Sequence, residues 1–296
     1  MPNRLYRTDL AMESRELLGA QNIEGVQSSE ESIENIQISR ITVLNEAGAQ
    51  KLGKPVGNYI TIQAPPFTGS IDASYKEIEM IAGEIARMLP PNPQLVLVAG
   101  LGNRSITPDA LGPDVAGQIL ATRHIKKEVA REVGLGDLTP VAAIAPGVLG
   151  QTGVETGEII ASVAREIKPS AVIVIDALAS KSLDRLGCTI QITDVGIVPG
   201  SGVQNARKAL NRETMGIPVI AIGIPTVVDA ATIACDLLND ESDTTRQKVE
   251  PRGAAMMVTP REVDVMMDRA AKVLGLAINK ALQPTMALED IQMLVG

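Results

Sequence analysis

Two carboxylates stand out in this sequence by where they fall. Asp109 follows the aliphatic run LVLVA (95–99) across the glycine-rich turn Gly100-Leu101-Gly102-Asn103-Arg104-Ser105, and Asp176 ends the run AVIVID (171–176). In an open α/β sheet, sites form at the carboxyl ends of parallel strands, so these two acids can face one another across one sheet edge. Two carboxylates held close in a partly apolar cleft do not both ionise easily. One keeps a proton while the other takes a proton from water. Such a pair supplies general base and general acid for amide hydrolysis without a histidine or a thiol, and without any necessary metal. Asp194, after TIQIT, is a third and weaker candidate at an equivalent edge. The structural alternative for each is plain. Aspartate after a strand often caps a helix or closes an Asx turn, and Thr107-Pro108-Asp109 is good turn chemistry.

Glycine-rich loops surround the same candidates. Gly102 and Asn103 belong to the first, Gly150, Gln151 and Thr152 to the second, and Gly200, Ser201 and Gly202 to the third, with Ile224-Pro225-Thr226 a further turn. Their backbone N–H groups are suited to holding an extended peptide or an oxyanion, and equally to making tight βα turns. The first loop opens like a dinucleotide site, but its third glycine is replaced by Ser105 and a carboxylate follows, so a nicotinamide enzyme is a distant alternative.

Composition excludes more than it assigns. The single histidine, His124, lies in the basic stretch ATRHIKKEVARE and reads as a solvated residue of an amphipathic helix, which disfavours a two-histidine zinc site or a histidine-based triad. Cys188 and Cys235 are far apart, with no C-x-x-C spacing, and read as buried small hydrophobes. Only Tyr6, Tyr59, Phe67 and Tyr75 are aromatic, so the stacking platforms of single-strand nucleic-acid binders are missing. A net charge of −8 argues against direct binding to a phosphate backbone. No apolar run has the ~18 residues of a membrane span, and no signal-like region opens the chain. The expectation is a cytoplasmic protein.

The elements that must position these residues follow from periodicity. Aliphatic runs at 95–99, 141–145, 171–175, 189–192 and 217–224 alternate with amphipathic stretches, which predicts an α/β fold: a mostly parallel central sheet with helices on both faces. ISRITVL and NYITIQA predict a β-hairpin addition within 36–66, and the preceding QSSEESIEN reads as a solvated loop. Tyr75, Ile78, Ile81, Ile85 and Leu89 share one helix face, and Val263, Met266, Met267, Ala270 and Leu274 share another. Thr152 with Glu155, and Thr226 with Asp229, have the spacing of helix-capping boxes.

Longer motifs carry a resemblance. GLGNRSITPDALGP (100–113), PGVLGQTGVET (146–156), VIDALASKSLDRLGCTIQITDVGIVPGSG (174–202) and VIAIGIPTVVDAATI (219–233) resemble germination protease, the spore endopeptidase of endospore-forming bacteria. The resemblance implies an atypical aspartic endopeptidase with a fold similar to the hydrogenase-maturation proteases, needing no cofactor. Its implied catalytic pair falls on Asp109 and Asp176. Its implied substrates are small acid-soluble spore proteins in the forespore or spore core, and its implied assembly is a homotetramer. It further implies a self-processing zymogen. Arg7-Thr8-Asp9-Leu10-Ala11-Met12-Glu13 is similar to the family's cleavage pattern, which places the cut between Asp9 and Leu10, with residues 1–9 as propeptide and 10–296 as one protease domain. The region 238–260 is short for the family. Two other readings remain beside this one: a metal-dependent peptidase whose carboxylates bind a hard divalent cation, and a non-enzymatic module that holds a peptide or small anion in the glycine-rich loops.

Overall fold

The computed structural model describes residues 8–19, 22–67, 75–132, 134–199, 209–238, 248 and 256–295. Among them nine strands form one sheet: β1 (Val26–Ile33), β2 (Ile36–Val43), β3 (Gly57–Gln63), β4 (Val96–Gly100), β5 (Val141–Ile144), β6 (Ala171–Ser180), β7 (Thr189–Thr193), β8 (Val219–Asp229) and β9 (Met257–Val258). Their spatial order is β1-β2-β3-β7-β8-β6-β4-β5, with β9 paired to β8. The helices are α1 (Ala11–Leu17), α2 (Glu46–Leu52), α3 (Tyr75–Met88), α4 (Leu111–Gly117), α5 (Lys127–Glu132), α6 (Leu149–Thr152), α7 (Thr156–Ile167), α8 (Arg212–Met215), α9 (Ala230–Leu238), α10 (Val263–Leu282) and α11 (Leu288–Val295).

The parallel part is one half of the sheet, β8-β6-β4-β5, with β5 at its edge, and it is built from the Val- and Ile-rich runs. Strands buried on both faces read as continuous apolar runs because neither face meets water. Odd residues of β6 (Ile173, Ile175) join Ile62, Ile81, Ile85, Ile192, Ile222, Met266, Met267 and Leu274 in one aliphatic core under α3, α4 and α10. Even residues (Val172, Val174) pack with Leu97, Ile160, Ala164 and Val219 under α7. On that second face a separate cluster of Ala11, Ile41, Val43, Leu52 and Tyr59 lies under α1 and α2. Truncating one fully buried isoleucine of the sheet to alanine costs about 2–5 kcal/mol, so each of these layers is needed to hold the sheet.

Several expectations are corrected. β7 runs antiparallel to both β8 and β3, because residues 181–188 between β6 and β7 are fewer than the dozen or so that a parallel crossover requires. The segment read as a solvated loop is the strand β1, exposed along nearly its whole length and paired with β2 through a tight turn with Glu34 at φ +51°. β2 and β3 pair as expected, but α2 intervenes, capped by Asn45, whose side chain accepts from Gly48 N. His124 is exposed in a turn, and the helix after it spans only Lys127–Glu132. Neither capping box forms. Thr226 lies inside β8, while Asp229 caps α9 by accepting from Ala231 N and Thr232 N. Thr152 ends α6 and bonds Val148 O and Val154 O, and the residue before α7 is Glu155, with no side-chain cap bond. Both cysteines are buried, as expected.

Candidate active site

The Asp109 loop is built by close backbone approach. β4 ends at Gly100, and Leu101 N donates to Ile175 O at 2.7 Å, so the chain leaves β4 along the edge of β6. Gly102 has φ +113°, and a Cβ there would sit 2.1 Å from the carbonyl oxygen of Asp109, which only glycine permits. The loop thus folds back on itself, and Asn103 N donates to Asp109 Oδ2 at 2.7 Å. Asp109 closes a single 3-10 turn, Thr107–Asp109, in which its own N–H donates to Ile106 O. From the other side, the Thr226 hydroxyl on β8 donates to Pro108 O at 2.7 Å. Asn103 Oδ1 accepts from Gln151 Nε2 at 2.6 Å, tying the loop after β4 to α6, the short helix that follows β5.

Asp176 is not at a strand end as expected. β6 continues to Ser180, but Gly100 is paired with Ile175, so Asp176 is the first residue of β6 beyond its pairing with β4. It is 9% exposed, and its Oδ1 accepts from Ala177 N at 2.9 Å. The Asp109 loop therefore departs from β4 beside Asp176. Cross-strand register adds a row on the same face: Asp176 pairs with Gly223, Gly223 with Gln191, Gln191 with Thr61, and Thr61 with Ser39. Ser39 Oγ and Thr61 Oγ1 are buried and have no hydrogen-bond partner among the described residues.

Other expected site residues fare differently. Asp194 is at the opposite edge, because β7 is antiparallel; it accepts from Asn58 N and Asn58 Nδ2, both at 2.7 Å, and anchors the start of β3. Gly150 meets open space, and among the described residues the Thr152 side chain bonds within its own turn. Gly200, Ser201 and Gly202 lie outside the described residues. So, except for residues 8 and 9, does the span expected as propeptide. Among the described residues, no three His, Cys, Asp or Glu side chains gather as metal ligands would, and no helix is long and apolar enough to cross a membrane.

The N-terminal segment is docked on the last residues of β6, beyond Asp176. Asp9 N donates to Ala179 O at 2.9 Å, and Ala179 N donates to Asp9 Oδ2 at 2.8 Å, three residues beyond Asp176 on β6. Leu10 and Ala11 are fully buried. Glu13, 1% exposed, accepts from Lys181 N at 2.7 Å, from Ser182 N at 3.1 Å and from the Thr8 hydroxyl. Burial pushes its carboxyl above the usual range, partly opposed by these hydrogen bonds and by Arg185. Gln191 binds the same segment with both ends of its amide: Nε2 donates to Asp9 O at 2.9 Å, and Oε1 accepts from Ala11 N at 2.7 Å. Lys54 Nζ donates to Asp9 O at 2.9 Å and to Thr8 O at 3.2 Å. The residue is half-buried, and burial lowers its pKa against the opposing pull of Asp9 and Glu13.

Lys54 and Gln191 were not singled out from the sequence as parts of a site, and Thr226, expected in a turn, is within β8. Gln191 carried a usable signal, a long polar side chain in the middle of the apolar strand TIQIT. Lys54, in the turn after α2, carried none.

Comparison with known proteins agrees with the motifs. Residues 6–241 match the germination protease family. The germination protease of Clostridium perfringens is 42% identical over 317 aligned residues, covering 96% of this chain and 97% of that protein. That of Clostridium tetani is 43% identical, covering 96% and 98%. That of Caldanaerobacter subterraneus subsp. tengcongensis is 42% identical, covering 98% of each. Among solved structures, the [NiFe] hydrogenase maturation protease HycI from Thermococcus kodakarensis is similar at 17% identity and a TM-score of 0.37, covering 66% of this chain and 98% of that one.

Proposed function

The chain belongs to the germination protease family, and from that premise we propose that it is an atypical aspartic endopeptidase that uses Asp109 and Asp176 to activate water. The observation that carries the reading is that the loop bearing Asp109 leaves β4 along the edge of β6, where Leu101 N meets Ile175 O and Asp176 is the next residue. One carboxylate takes a proton from water as the water oxygen attacks the peptide carbonyl carbon. The other, protonated, gives its proton to the departing nitrogen, so the pair exchanges roles in each turnover. The bond from Asn103 N fixes the direction of the Asp109 carboxylate before substrate arrives.

The protein substrates are small acid-soluble spore proteins, and the first cut is in the chain itself, between Asp9 and Leu10. In support, the segment 8–13 docks on the strand that carries Asp176, with Asp9 bonded to Ala179, and on the Gln191 side chain. Residues 1–9 are then a propeptide released by self-cleavage.

The test is intact mass of the full-length protein over time at mildly acidic and neutral pH, beside Asp109→Asn and Asp176→Asn. Loss of residues 1–9 in wild type alone supports both the cut and the pair. Wild-type cleavage rates in both variants would remove the carboxylates from the mechanism.

A further inference from the structure

A carbonyl oxygen held by one peptide N–H is ordinary backbone docking, and the Asp9 N–H and carboxylate already dock to Ala179 in that way. The Asp9 carbonyl oxygen is held differently. Two side chains from two separate elements converge on it, the Lys54 amine at 2.9 Å and the Gln191 amide N–H at 2.9 Å. Neither is a surface contact made in passing: Gln191 is 6% exposed, and the Lys54 amine is held by two successive carbonyls, of Thr8 and Asp9. Gln191 sits on the face of the sheet to which Asp176 belongs, joined to it by register through Gly223, a position with no side chain of its own.

We propose that Lys54 and Gln191 are the oxyanion-binding residues for cleavage of the bond between Asp9 and Leu10. The inference rests on the proposed cut at that bond. When the water oxygen bonds to the Asp9 carbonyl carbon, the π electron pair moves onto the carbonyl oxygen, where the two donors meet the developing negative charge. A donor already in place strengthens its bond as charge grows, with no reorganisation at the moment of reaction. When the tetrahedral centre collapses, that pair re-forms the carbonyl and the C–N bond breaks. The electrons of the broken bond go to Leu10 nitrogen, which takes a proton from the acidic member of the carboxyl pair. The products are a carboxyl group on Asp9 and an amine on Leu10. Gln191 Oε1 meanwhile holds Ala11 N, fixing the chain on the leaving side of the bond.

First-order loss of residues 1–9, followed by intact mass in the full-length protein, tests this with Lys54→Met, Lys54→Arg and Gln191→Met, and with hydrogen exchange of residues 8–17 measured on each variant. Removing one oxyanion donor costs about 100-fold or more in rate. Lys54→Met and Gln191→Met should therefore slow cleavage by about 100-fold with residues 8–17 still protected, and Lys54→Arg should retain most of the rate. Wild-type rates in both would overturn the inference. So would slowing that tracks loss of protection, because the side chains would then be docking clamps only. Cleavage in Asp109→Asn and Asp176→Asn at the wild-type rate would sink the carboxylate pair and leave the donor assignment standing. A wild-type cut at another bond, or none at any pH, would sink the donor assignment itself.

Discussion

The Glu13 carboxylate and the backbone N–H of Lys181 meet at 2.7 Å, joining the first helix to the end of the strand that carries Asp176. Because burial raises the Glu13 pKa, the docked state binds a proton more tightly than the undocked chain, whose carboxyl titrates near 4.5. The contribution is fully present below pH 4.5 and is lost as pH rises through the higher docked-state pKa. Docking of residues 8–17 should weaken as the solution goes from acidic toward neutral pH. Exchange protection of the Lys181 and Ser182 amides, corrected for intrinsic rates, measures it. Glu13→Gln should abolish that slope and, by leaving one of the two N–H groups without an acceptor, cost about 1–3 kcal/mol.

Arg40 gives a second prediction. It forms a two-pronged bond with Glu84 of α3 at 2.6 and 3.1 Å and reaches Glu31 of β1 at 2.8 Å, so one side chain fastens the antiparallel extension to the helical layer. Glu84 is 4% exposed. Removing a partner from a buried ion pair costs roughly 3–5 kcal/mol when the remaining charge is orphaned. Arg87 still reaches Glu84 at 2.9 Å, so Arg40→Met should cost less, about 2 kcal/mol by the same comparison. Urea unfolding monitored at equilibrium checks it, and an unchanged midpoint would make the pair decorative.

How far the sequence foretold the site depends on which interaction positions each residue. Asp109 and Asp176 were legible because both follow aliphatic runs that read as buried parallel strands. The long helix Val263–Leu282 was legible because its apolar face repeats at helical spacing. Asp194 was misplaced because strand direction is set by connection length and pairing, not by the local run TIQIT. β1 was missed for a related reason: an edge strand exposed on both sides has polar residues throughout and no alternation to read. Lys54 and Gln191 are separated by far more chain than any motif spans, and only the fold brings them to one carbonyl.

Gly112 fixes how closely the Asp109 loop meets β6. A Cβ there would lie 2.2 Å from Leu101 O and 2.5 Å from Ile175 O, backbone atoms that cannot step aside. Gly112→Ala should push the loop off the strand edge, costing about 1–3 kcal/mol, as overpacking does. Activity should fall further than stability, because the displaced element is the one that bears Asp109. Proteolysis of a protein substrate, set against thermal unfolding of the same sample, separates the two effects.

Thr226 offers a gentler displacement of the same loop. It is fully buried within β8, and its hydroxyl donates to Pro108 O at 2.7 Å, the residue immediately before Asp109. Its own carbonyl accepts from the Thr259 hydroxyl, so the position also ties β8 to the segment after β9. Thr226→Val keeps the volume and the backbone bond but deletes the donor, leaving a buried carbonyl without it. The expected loss in stability is about 1–2 kcal/mol. If the bond aims the Asp109 turn, kcat should fall roughly tenfold or more with KM little changed, since small misplacement of a reacting group acts on the chemical step. Thr226→Ser, which restores the hydroxyl on a smaller side chain, should recover most of the rate. A drop in kcat that Thr226→Ser fails to restore would assign the effect to packing instead of the hydrogen bond.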